Sequence, residues 1–499
     1  MKKVFFLLIF ILNIFSVTCA TTALKGVWVA TVYNLDYPST PTKDINTLKS
    51  EAISILNNVK ELGLNAVFLQ VRPSADAFYK SEIFPWSKYL TGESGVAPNN
   101  GFDPLKFWVE EAHNRGIELH AWINPYRITK KGDEEYNLIA GNSPAKLNPE
   151  YIVKYSDGNY YFNPGIPEVR ELVIDGALEI LTNYDVDGIH MDDYFYPGKD
   201  FDDLATYKKY GAGFSNIEDW RRNNVDMLVE ELNKKLHAQK EDISFGISPF
   251  GIWANSKNNS FGSNTSGTES YYSHYADTRK WAKNGWVDYI APQIYWKCGH
   301  KAADYITLVN WWADVVYNGN TKLYIGLADY RVVDAKDSSV WYNAKEIEKQ
   351  MEINKESKII FGEIHYRYSS LISNSSLYNL LKKQYKNKEI TVYVNNEKID
   401  FDYNPIIENN RTLVPLRTIF EALGAVVSWE NNTVTAKKGE TVVSVEIGSN
   451  KMRVNDKSIV LEVPAQIKNN RTFVPLRAIS EAFNNTVEWN DTTKTINII

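Results

Sequence analysis

Cysteine is nearly absent from this sequence, which has only Cys19 and Cys298 among its 499 residues. If Cys19 is removed with the N-terminal segment, no intramolecular disulfide and no cysteine-based metal site can form. An excess of one charge is also lacking, since 55 Lys and Arg stand against 61 Asp and Glu and no basic stretch stands out. Nucleic acid is therefore not expected as a partner.

Long apolar runs are missing except at the start of the chain. Two lysines at positions 2 and 3 precede an apolar run over residues 4–17, and small residues then end at Ala20. This pattern is typical of a secretory signal peptide cleaved after Ala20, and the run is too short for a comfortable membrane span. Lipidation at Cys19 is the alternative, although residues 16–18 form a poor lipobox. We expect a secreted, cell-wall or surface-associated protein whose mature chain has no transmembrane segment.

The composition that is present is that of a large globular protein. Hydrophobic residues make up 44% of the chain, and 499 residues are too many for one ordinary core, so two or three domains are expected. Aromatic residues are abundant, with 14 Trp, 31 Tyr and 21 Phe. Sugar rings stack on aromatic planes, so this suits a glycan-binding protein, but it suits the core of a large barrel equally.

Strand-like and helix-like segments alternate from Gly26 to about Lys386. The strand-like segments are GVWVATV (26–32), NAVFLQV (65–71), IELHAWI (117–123), DGIHMDD (187–193), ISFGISPF (243–250), VDYIAPQIYW (287–296), KLYIGLADY (322–330) and IIFGEIHYRY (359–368). Helices are expected at about 42–62, 104–115, 168–183, 218–237, 271–283, 302–317 and 343–354. Eight such units predict a (β/α)₈ TIM barrel over residues 21–386. The alternative, a doubly wound sheet, would usually carry a glycine-rich phosphate loop after the first strand, and VATVYNLDYP (29–38) has none.

The last segment, residues 387–499, changes character and contains a duplication. NNRTLVPLRTIFEALGAVVSWENNT (409–433) recurs as NNRTFVPLRAISEAFNNTVEWNDTT (469–493). Each copy predicts short strands, a helix that begins near VPLR and a strand that ends at Trp429 or Trp489, which together make a small duplicated α+β domain. The shared Val, Leu and Trp are expected to pack its core. This segment offers no cluster of carboxylates beside aromatic residues.

Acidic residues at strand ends are the candidates for catalysis, because the active site of a TIM barrel lies at the C-terminal ends of the strands. Asp192 and Asp193, at the end of the fourth strand, are the strongest pair. Successive strand residues point to opposite faces, so one of the two should face the barrel axis; otherwise one caps a helix or pairs with an arginine. Asp36 and Asp76 follow the first and second strands and are reserve candidates for a second carboxyl, or else turn or N-cap residues.

Other polar residues at the strand ends have weaker claims to catalysis. Asp329 and Glu363 both precede aromatic residues that could be the real lining of the site. His120, His190 and His365 could converge on a metal, but no HExxH or similar spacing supports this, and core histidines are the better interpretation. We therefore expect no metal and no cofactor.

These residue types fit glycoside hydrolysis. One carboxyl protonates the leaving oxygen, and a second acts as nucleophile or activates water. Aromatic side chains hold sugar rings, while Arg, Asn and Gln bind hydroxyl groups. The predicted substrate-binding residues are Gln70, Arg72, Asn124, Tyr126, Tyr194, Gln293, Tyr295 and Trp296. A transglycosylase that uses the same site and a non-catalytic glycan-binding surface protein are the alternatives.

At these residues the chain resembles the bacterial family-10-like glycosyl hydrolases, formerly a domain of unknown function. The matching segments include GVWVATVYNLDYP (26–38), NAVFLQVRPSADAFY (65–79), HAWINPYR (120–127), DGIHMDDYFYP (187–197), ISPFGIW (247–253) and VDYIAPQIYW (287–296). The resemblance implies a secreted or envelope-associated TIM-barrel glycosidase that acts on glycans such as those of the cell wall. Our hypothesis is hydrolysis of a cell-wall or related polysaccharide, with peptidoglycan glycan strands as the first choice.

Two further resemblances concern single segments. The fourth strand is similar to the chitinase pattern DGIDIDWEYP, but Tyr194 stands where that pattern has its catalytic Glu. The duplicated NNRTLVPLR and NNRTFVPLR resemble the stalk domain called copper amine oxidase N-terminal-like. That name does not imply copper, because no His cluster exists there. In secreted bacterial proteins such tails look like wall or surface attachment modules.

Overall fold

The computed structural model describes residues 23–386, 390–409, 411–468, 471–490 and 493–499. The predicted signal peptide, residues 1–20, and the lipidation candidate Cys19 lie outside the described residues. The described residues fall into two compact units, which divide between residues 386 and 390.

The first unit is a closed barrel of eight parallel strands, as predicted. The strands are β1 (Leu24–Val29), β2 (Ala66–Arg72), β3 (Glu118–Ile123), β4 (Gly188–Met191), β5 (Ser244–Ile247), β6 (Tyr289–Ile290), β7 (Lys322–Leu327) and β8 (Ile360–His365). Each strand pairs with its sequence neighbours, and β8 closes the barrel on β1. All eight carboxyl ends therefore meet at one opening, which we call the mouth.

Eight helices follow the strands in turn. They are α1 (Ile45–Leu62), α2 (Pro104–His113), α3 (Pro167–Asn183), α4 (Ile217–Gln239), α5 (Thr278–Asn284), α6 (Tyr305–Val316), α7 (Lys345–Glu356) and α8 (Ser375–Tyr385). Short helices in the loops are Lys88–Thr91, Gly132–Asn137, Pro144–Leu147, Leu204–Tyr210, Ser270–Ser273, Tyr330–Val333 and Tyr368–Ser373. Single 3₁₀ turns lie at Val32–Asn34, Asn99–Gly101, Pro149–Tyr151 and Tyr342–Ala344, and a hairpin pairs Ile152–Lys154 with Tyr160–Phe162.

Local sequence signals explain where the helices begin and end. The Asp44 side chain accepts a hydrogen bond from the Thr47 amide and caps the start of α1. Gly63 ends α1 with φ 78°, and a β-carbon at this position would lie 2.7 Å from the carbonyl carbon of Tyr385. Glycine is therefore required both by the left-handed backbone and by the close approach of α8.

The strands separate two layers of core. Side chains on their outer faces pack against the helices in one large apolar cluster, which includes Val27, Val67, Leu69, Leu119, Ile189 and Met191. Inner faces fill the barrel with large rings, among them Trp28, Phe68, Trp122, Tyr289 and Tyr324. The interior is a packed core, so a substrate can reach only its upper end, at the mouth.

The second unit repeats one set of elements. Strands Arg411–Pro415 and Arg471–Pro475 pair antiparallel, and each leads into a helix, Leu416–Ala422 or Leu476–Ala482. The other strands are Thr391–Val394, Glu397–Ile399, Ile406–Glu408, Val426–Glu430, Thr433–Lys438, Thr441–Glu446, Lys451–Val454, Lys457–Val460, Gln466–Lys468, Val487–Asn490 and Thr495–Ile498.

The shared residues of the two copies do not all lie in the core. The valines and leucines of both VPLR segments are buried: Val414, Leu416, Val474 and Leu476. The expectation that Trp429 packs the core is wrong, because its side chain is 49% exposed. Trp429 lies on the edge strand of a five-stranded sheet, where only one side of the strand is covered by a neighbouring strand.

Candidate active site

Asp192 lies one residue beyond β4 and is held from the neighbouring strand. Trp122 in β3 pairs in register with His190 in β4, so Asn124 and Asp192 come level with each other at the mouth. The Asn124 amide donates to both Asp192 oxygens, at 2.9 and 3.0 Å, and the Trp122 indole donates to Oδ2 at 3.3 Å. Asp192 is only 4% exposed, so these donors fix the direction of its carboxylate.

Asp193 turns away from Asn124, along the same wall of the mouth, toward the ends of β5 and β6. Strict alternation would send it to the outer face with Met191, but the regular strand ends at Met191 and the chain bends. Asp193 is 5% exposed and accepts a hydrogen bond from the Gln293 side chain, whose Nε2 also donates to the Ser248 carbonyl oxygen at 2.9 Å. Both acidic residues therefore reach the mouth.

The two carboxyl groups differ in how far their pKa is raised. Burial raises the pKa of Asp193 well above its ordinary value, and the neighbouring Asp192 raises it further. Burial also raises the pKa of Asp192, but Arg127 and the hydrogen bonds from Asn124 and Trp122 oppose this. Two like charges this close cannot both form easily, so Asp192 ionises first and Asp193 keeps the proton.

Arg127 supplies the positive charge next to the pair. Its guanidinium donates twice to the Pro73 carbonyl oxygen, at 2.9 and 2.6 Å, and its backbone amide donates to Asn124 Oδ1 at 2.9 Å. The same guanidinium lies 5.7 Å from the centre of the Tyr194 ring. Asn124 thus links the orientation of Asp192 to the position of Arg127.

Aromatic side chains surround the acidic pair. Tyr194 is 43% exposed, directly beside Asp193, and meets Phe250 edge-on at 6.4 Å. Tyr295 stacks on Tyr366 with ring centres 5.8 Å apart, and Tyr330 packs against both. Such half-exposed rings can hold sugar rings above the two carboxyl groups.

Asp36 and Asp76 are committed to other partners. Asp36 accepts hydrogen bonds from the backbone amides of Ala30 and Ser369 and pairs with Arg367, so it ties the loop after β1 to the loop after β8. Asp76 accepts from the Ser74 amide in a turn, and burial raises its pKa to about 6. Both carboxyl groups are thus held by partners other than Asp192 and Asp193.

Three of the predicted binding residues are buried and make their contacts within the protein. Gln70 Oε1 accepts hydrogen bonds from the backbone amides of Thr31 and Val32, at 3.1 and 3.0 Å. Gln70 thus links the end of β2 to the backbone that follows β1. Arg72 follows a register shift in β2 and is level with Ile123, on the outer face, where its guanidinium lies 3.9 Å from the Phe84 ring. Tyr126 is fully buried in the outer core. Arg72 and Tyr126 therefore point away from the mouth, whereas Gln70 lies on the inner face of its strand, in register with Trp122.

Four of the five remaining predicted residues lie next to the pair. Asn124, Tyr194, Gln293 and Tyr295 surround it, as described above. Trp296 is half-buried one residue beyond Tyr295, and its ring packs over Gly251. Trp122, Arg127 and Tyr366 belong to the site but were not predicted. The strand register could have identified Trp122, because it shares a face with Asn124.

The histidines do not gather at the mouth. His120 and His190 lie on the barrel axis and both contact the Tyr289 hydroxyl, at 3.2 and 3.0 Å. His365 faces the helices and pairs with Asp329 at 2.9 Å. Within the described ranges, no three His, Cys, Asp or Glu side chains group as metal ligands would. Among the helices in the described ranges, none combines the length and the apolar character that a membrane span requires.

Comparisons with known proteins match both units to known families. The family model described as Glycosyl hydrolase-like 10 matches residues 23–343, and the model Copper amine oxidase N-terminal domain matches residues 393–498. Glycosyl hydrolase YngK of Bacillus subtilis (strain 168) is 44% identical over 357 residues, which cover 70% of this chain and 69% of the relative. Glycosyl hydrolase DigH of Escherichia coli (strain K12) is 40% identical over 364 residues, 69% of this chain and 82% of the relative.

Among solved structures, the glycoside hydrolase domain of PgaB (BpsB) from Bordetella bronchiseptica is 12% identical. It aligns with a TM-score of 0.49 over 72% of this chain and 98% of that domain.

Proposed function

The chain belongs to the glycosyl hydrolase-like 10 family, and on that premise we propose that it is a secreted glycoside hydrolase that cleaves the glycan strands of peptidoglycan. The observation that carries the proposal is the pair of unequal carboxyl groups at the mouth. Asp193 keeps a proton that it can donate, whereas Asp192 is the group that ionises. Hydrolysis of a glycosidic bond needs one group of each kind.

The roles of the surrounding residues follow from their positions. Asp193 is the general acid, because it lies beside the exposed Tyr194 ring and keeps its proton. Asp192 stabilises the positive charge that develops on the sugar, and Asn124 and Trp122 hold its carboxylate in place. Preorganised groups of this kind act on the transition state without the reorganisation that water would need.

Peptidoglycan is the proposed substrate for two reasons. The N-terminal residues read as a secretory signal, and the tail belongs to a domain type expected to attach proteins to the wall or surface. A secreted, wall-attached glycosidase meets wall glycan before any other polysaccharide. The half-exposed tyrosines at the mouth suit a chain of sugar rings.

The experiment measures reducing ends released from purified peptidoglycan, both intact and stripped of its peptides. The mature protein is compared with Asp192→Asn and Asp193→Asn. Asp187→Asn is the matched control, because Asp187 precedes the same strand at the opposite end of the barrel, where it contacts His113. Both mouth variants should lose at least about 100-fold in rate, and the control should keep its activity.

The results distinguish a hydrolase that uses the acidic pair from a non-catalytic binding protein and from a transglycosylase. Full activity in both mouth variants would contradict the assignment of the acidic pair. Binding of glycan with no new reducing ends from any strand would favour the non-catalytic alternative. Longer glycans among the products would favour a transglycosylase.

A further inference from the structure

The strand ends supply only one converging pair of acidic groups among the residues that the structure describes. Asp36 and Asp76 are bound elsewhere, as shown above. Asp329 pairs with His365, and Glu363 accepts a hydrogen bond from Asn354 on α7 at 2.9 Å. The strand ends of β3, β5 and β6 carry Asn124, Ser248 and Gln293 instead of acids. Asp192 and Asp193 are therefore the carboxyl groups that these strands offer to a substrate.

Their position on consecutive residues limits what the pair can do. A carboxylate nucleophile must attack the anomeric carbon from the face opposite the leaving oxygen, so the two carboxyl groups of such a mechanism flank the sugar. Asp192 and Asp193 have α-carbons one residue apart, about 3.8 Å. They approach a bound sugar from the same wall of the mouth, which suits a donor and a stabiliser better than an acid and an opposing nucleophile.

Asp192 is built as a fixed hydrogen-bond acceptor. Its two oxygens already accept from Asn124 and Trp122, and carboxylate oxygens have capacity for further donors. A substrate N–H that points toward Asp192 could donate a further hydrogen bond to its carboxylate. Close by, Tyr295 and Tyr366 stack side by side, and burial together with the nearby Asp193 raises the pKa of both hydroxyl groups. Both hydroxyl groups therefore keep a proton that they can donate in a hydrogen bond.

We propose that the nucleophile belongs to the substrate: the acetamido group of an N-acetylated sugar attacks its own anomeric carbon, and Asp192 orients that group through its N–H. The inference rests on the proposed glycosidase function and adds its mechanism. It restricts the substrate to glycans with a 2-acetamido sugar on the non-reducing side of the bond that is cut. It also requires retention of anomeric configuration.

The bonds and protons balance over two steps. In the first, the acetamido carbonyl oxygen bonds to the anomeric carbon while the bond to the leaving oxygen breaks, and the Asp193 proton passes to that oxygen. The product is a cyclic oxazolinium ion, whose positive N–H lies against the Asp192 carboxylate. In the second step, water bonds to the anomeric carbon, the ring bond to the acetamido oxygen breaks, and one water proton returns to Asp193. One water is consumed and the acetamido group is restored.

The test compares peptide-free glycan strands in three forms: native, chemically N-deacetylated, and deacetylated then re-acetylated. We expect kcat/KM to fall at least about 1000-fold on deacetylation, because an intramolecular nucleophile is lost, and to recover on re-acetylation. NMR of the first product should show retained configuration. The thiazoline analogue of N-acetylglucosamine, which mimics the cyclic ion, should bind the wild type at least about 100-fold more tightly than N-acetylglucosamine does. Asp192→Asn should lose most of that difference.

The outcomes separate this inference from the function it rests on. Equal kcat/KM on deacetylated strands, or inverted product, would overturn the inference and leave the glycosidase standing. Thiazoline binding no tighter than N-acetylglucosamine binding, measured by calorimetry without turnover, would also overturn it. Failure to release reducing ends from any strand would overturn the proposed function, and the inference with it. An unchanged thiazoline affinity in Asp192→Asn would remove Asp192 from the orienting role.

Discussion

The two hydrogen bonds from Asn124 to Asp192 allow a direct test of which carboxyl is ionised. Asn124→Ala removes both, and a hydrogen bond to a charged group contributes about 1.5–3 kcal/mol. Because these bonds favour the ionised form, their loss raises the pKa of Asp192. The acid limb of the kcat/KM profile should therefore move to higher pH, since it reports the ionisation of Asp192 in the free enzyme.

Trp122→Phe is the matched comparison for Asn124→Ala. It removes only the single, longer contact of 3.3 Å and leaves intact the bond between Asn124 and the Arg127 amide, so its shift should be smaller. The assay is reducing-end release from glycan strands, measured from pH 3 to 9 for the wild type and both variants. An unmoved acid limb would refute the assignment of Asp192 as the ionised group. A shift confined to the basic limb would mean that the two acids exchange roles.

Three further predictions concern groups outside the acidic pair. Asp36→Asn should lower the melting temperature, because it weakens the tie to Arg367, and should leave kcat within about threefold of wild type in the same assay. Asp76 has its pKa raised to about 6 from 3.8, so the stability from its protonated form is present at pH 4 and lost as pH rises through 6. Urea unfolding should therefore show Asp76→Asn gaining about 3 kcal/mol relative to wild type between pH 4 and 8, and a constant difference would contradict this. Gly176→Ala would place a methyl group 2.3 Å from Arg72 Nη1, and should destabilise the barrel by about 1–3 kcal/mol in the same unfolding measurement.

The barrel could be predicted because its strands and helices alternate with clear periodicity. Eight apolar segments precede amphipathic ones, and Asp44 and Gly63 mark the ends of α1 in the sequence as well as in the structure. Strand ends were harder to predict. β6 covers only Tyr289–Ile290, whereas the apolar segment extends from 287 to 296. Pro292 has no N–H and interrupts the ladder, and Gln293 then bridges to Phe250, beyond β5, and to Gly326 in β7.

The candidate site was predictable in part, for a reason that concerns register. Alternation along the fourth strand puts His190 and Asp192 on one face, and in the structure each accepts a hydrogen bond from a tryptophan of the barrel interior, Trp28 or Trp122. Arg72 was expected at the mouth because it follows the second predicted strand, but the register shift after Gln70 turns it outward. A one-residue shift of this kind leaves no mark in the sequence and reverses every later side chain. Arg127 lies beyond the strand, in a loop whose path no periodicity describes.

The polar interior of the barrel matters for the chemistry above it. His190 shares its face with Asp192, and its Nε2 accepts the Trp28 indole N–H at 3.1 Å. Since indole can only donate, the ring proton of His190 must lie on Nδ1, which then donates to the Tyr289 hydroxyl. Burial lowers the pKa of His190 well below its ordinary value, so the ring is neutral. A cation there would favour ionisation of both acids at the mouth, and the neutral ring leaves Asp193 with the proton that the leaving oxygen needs.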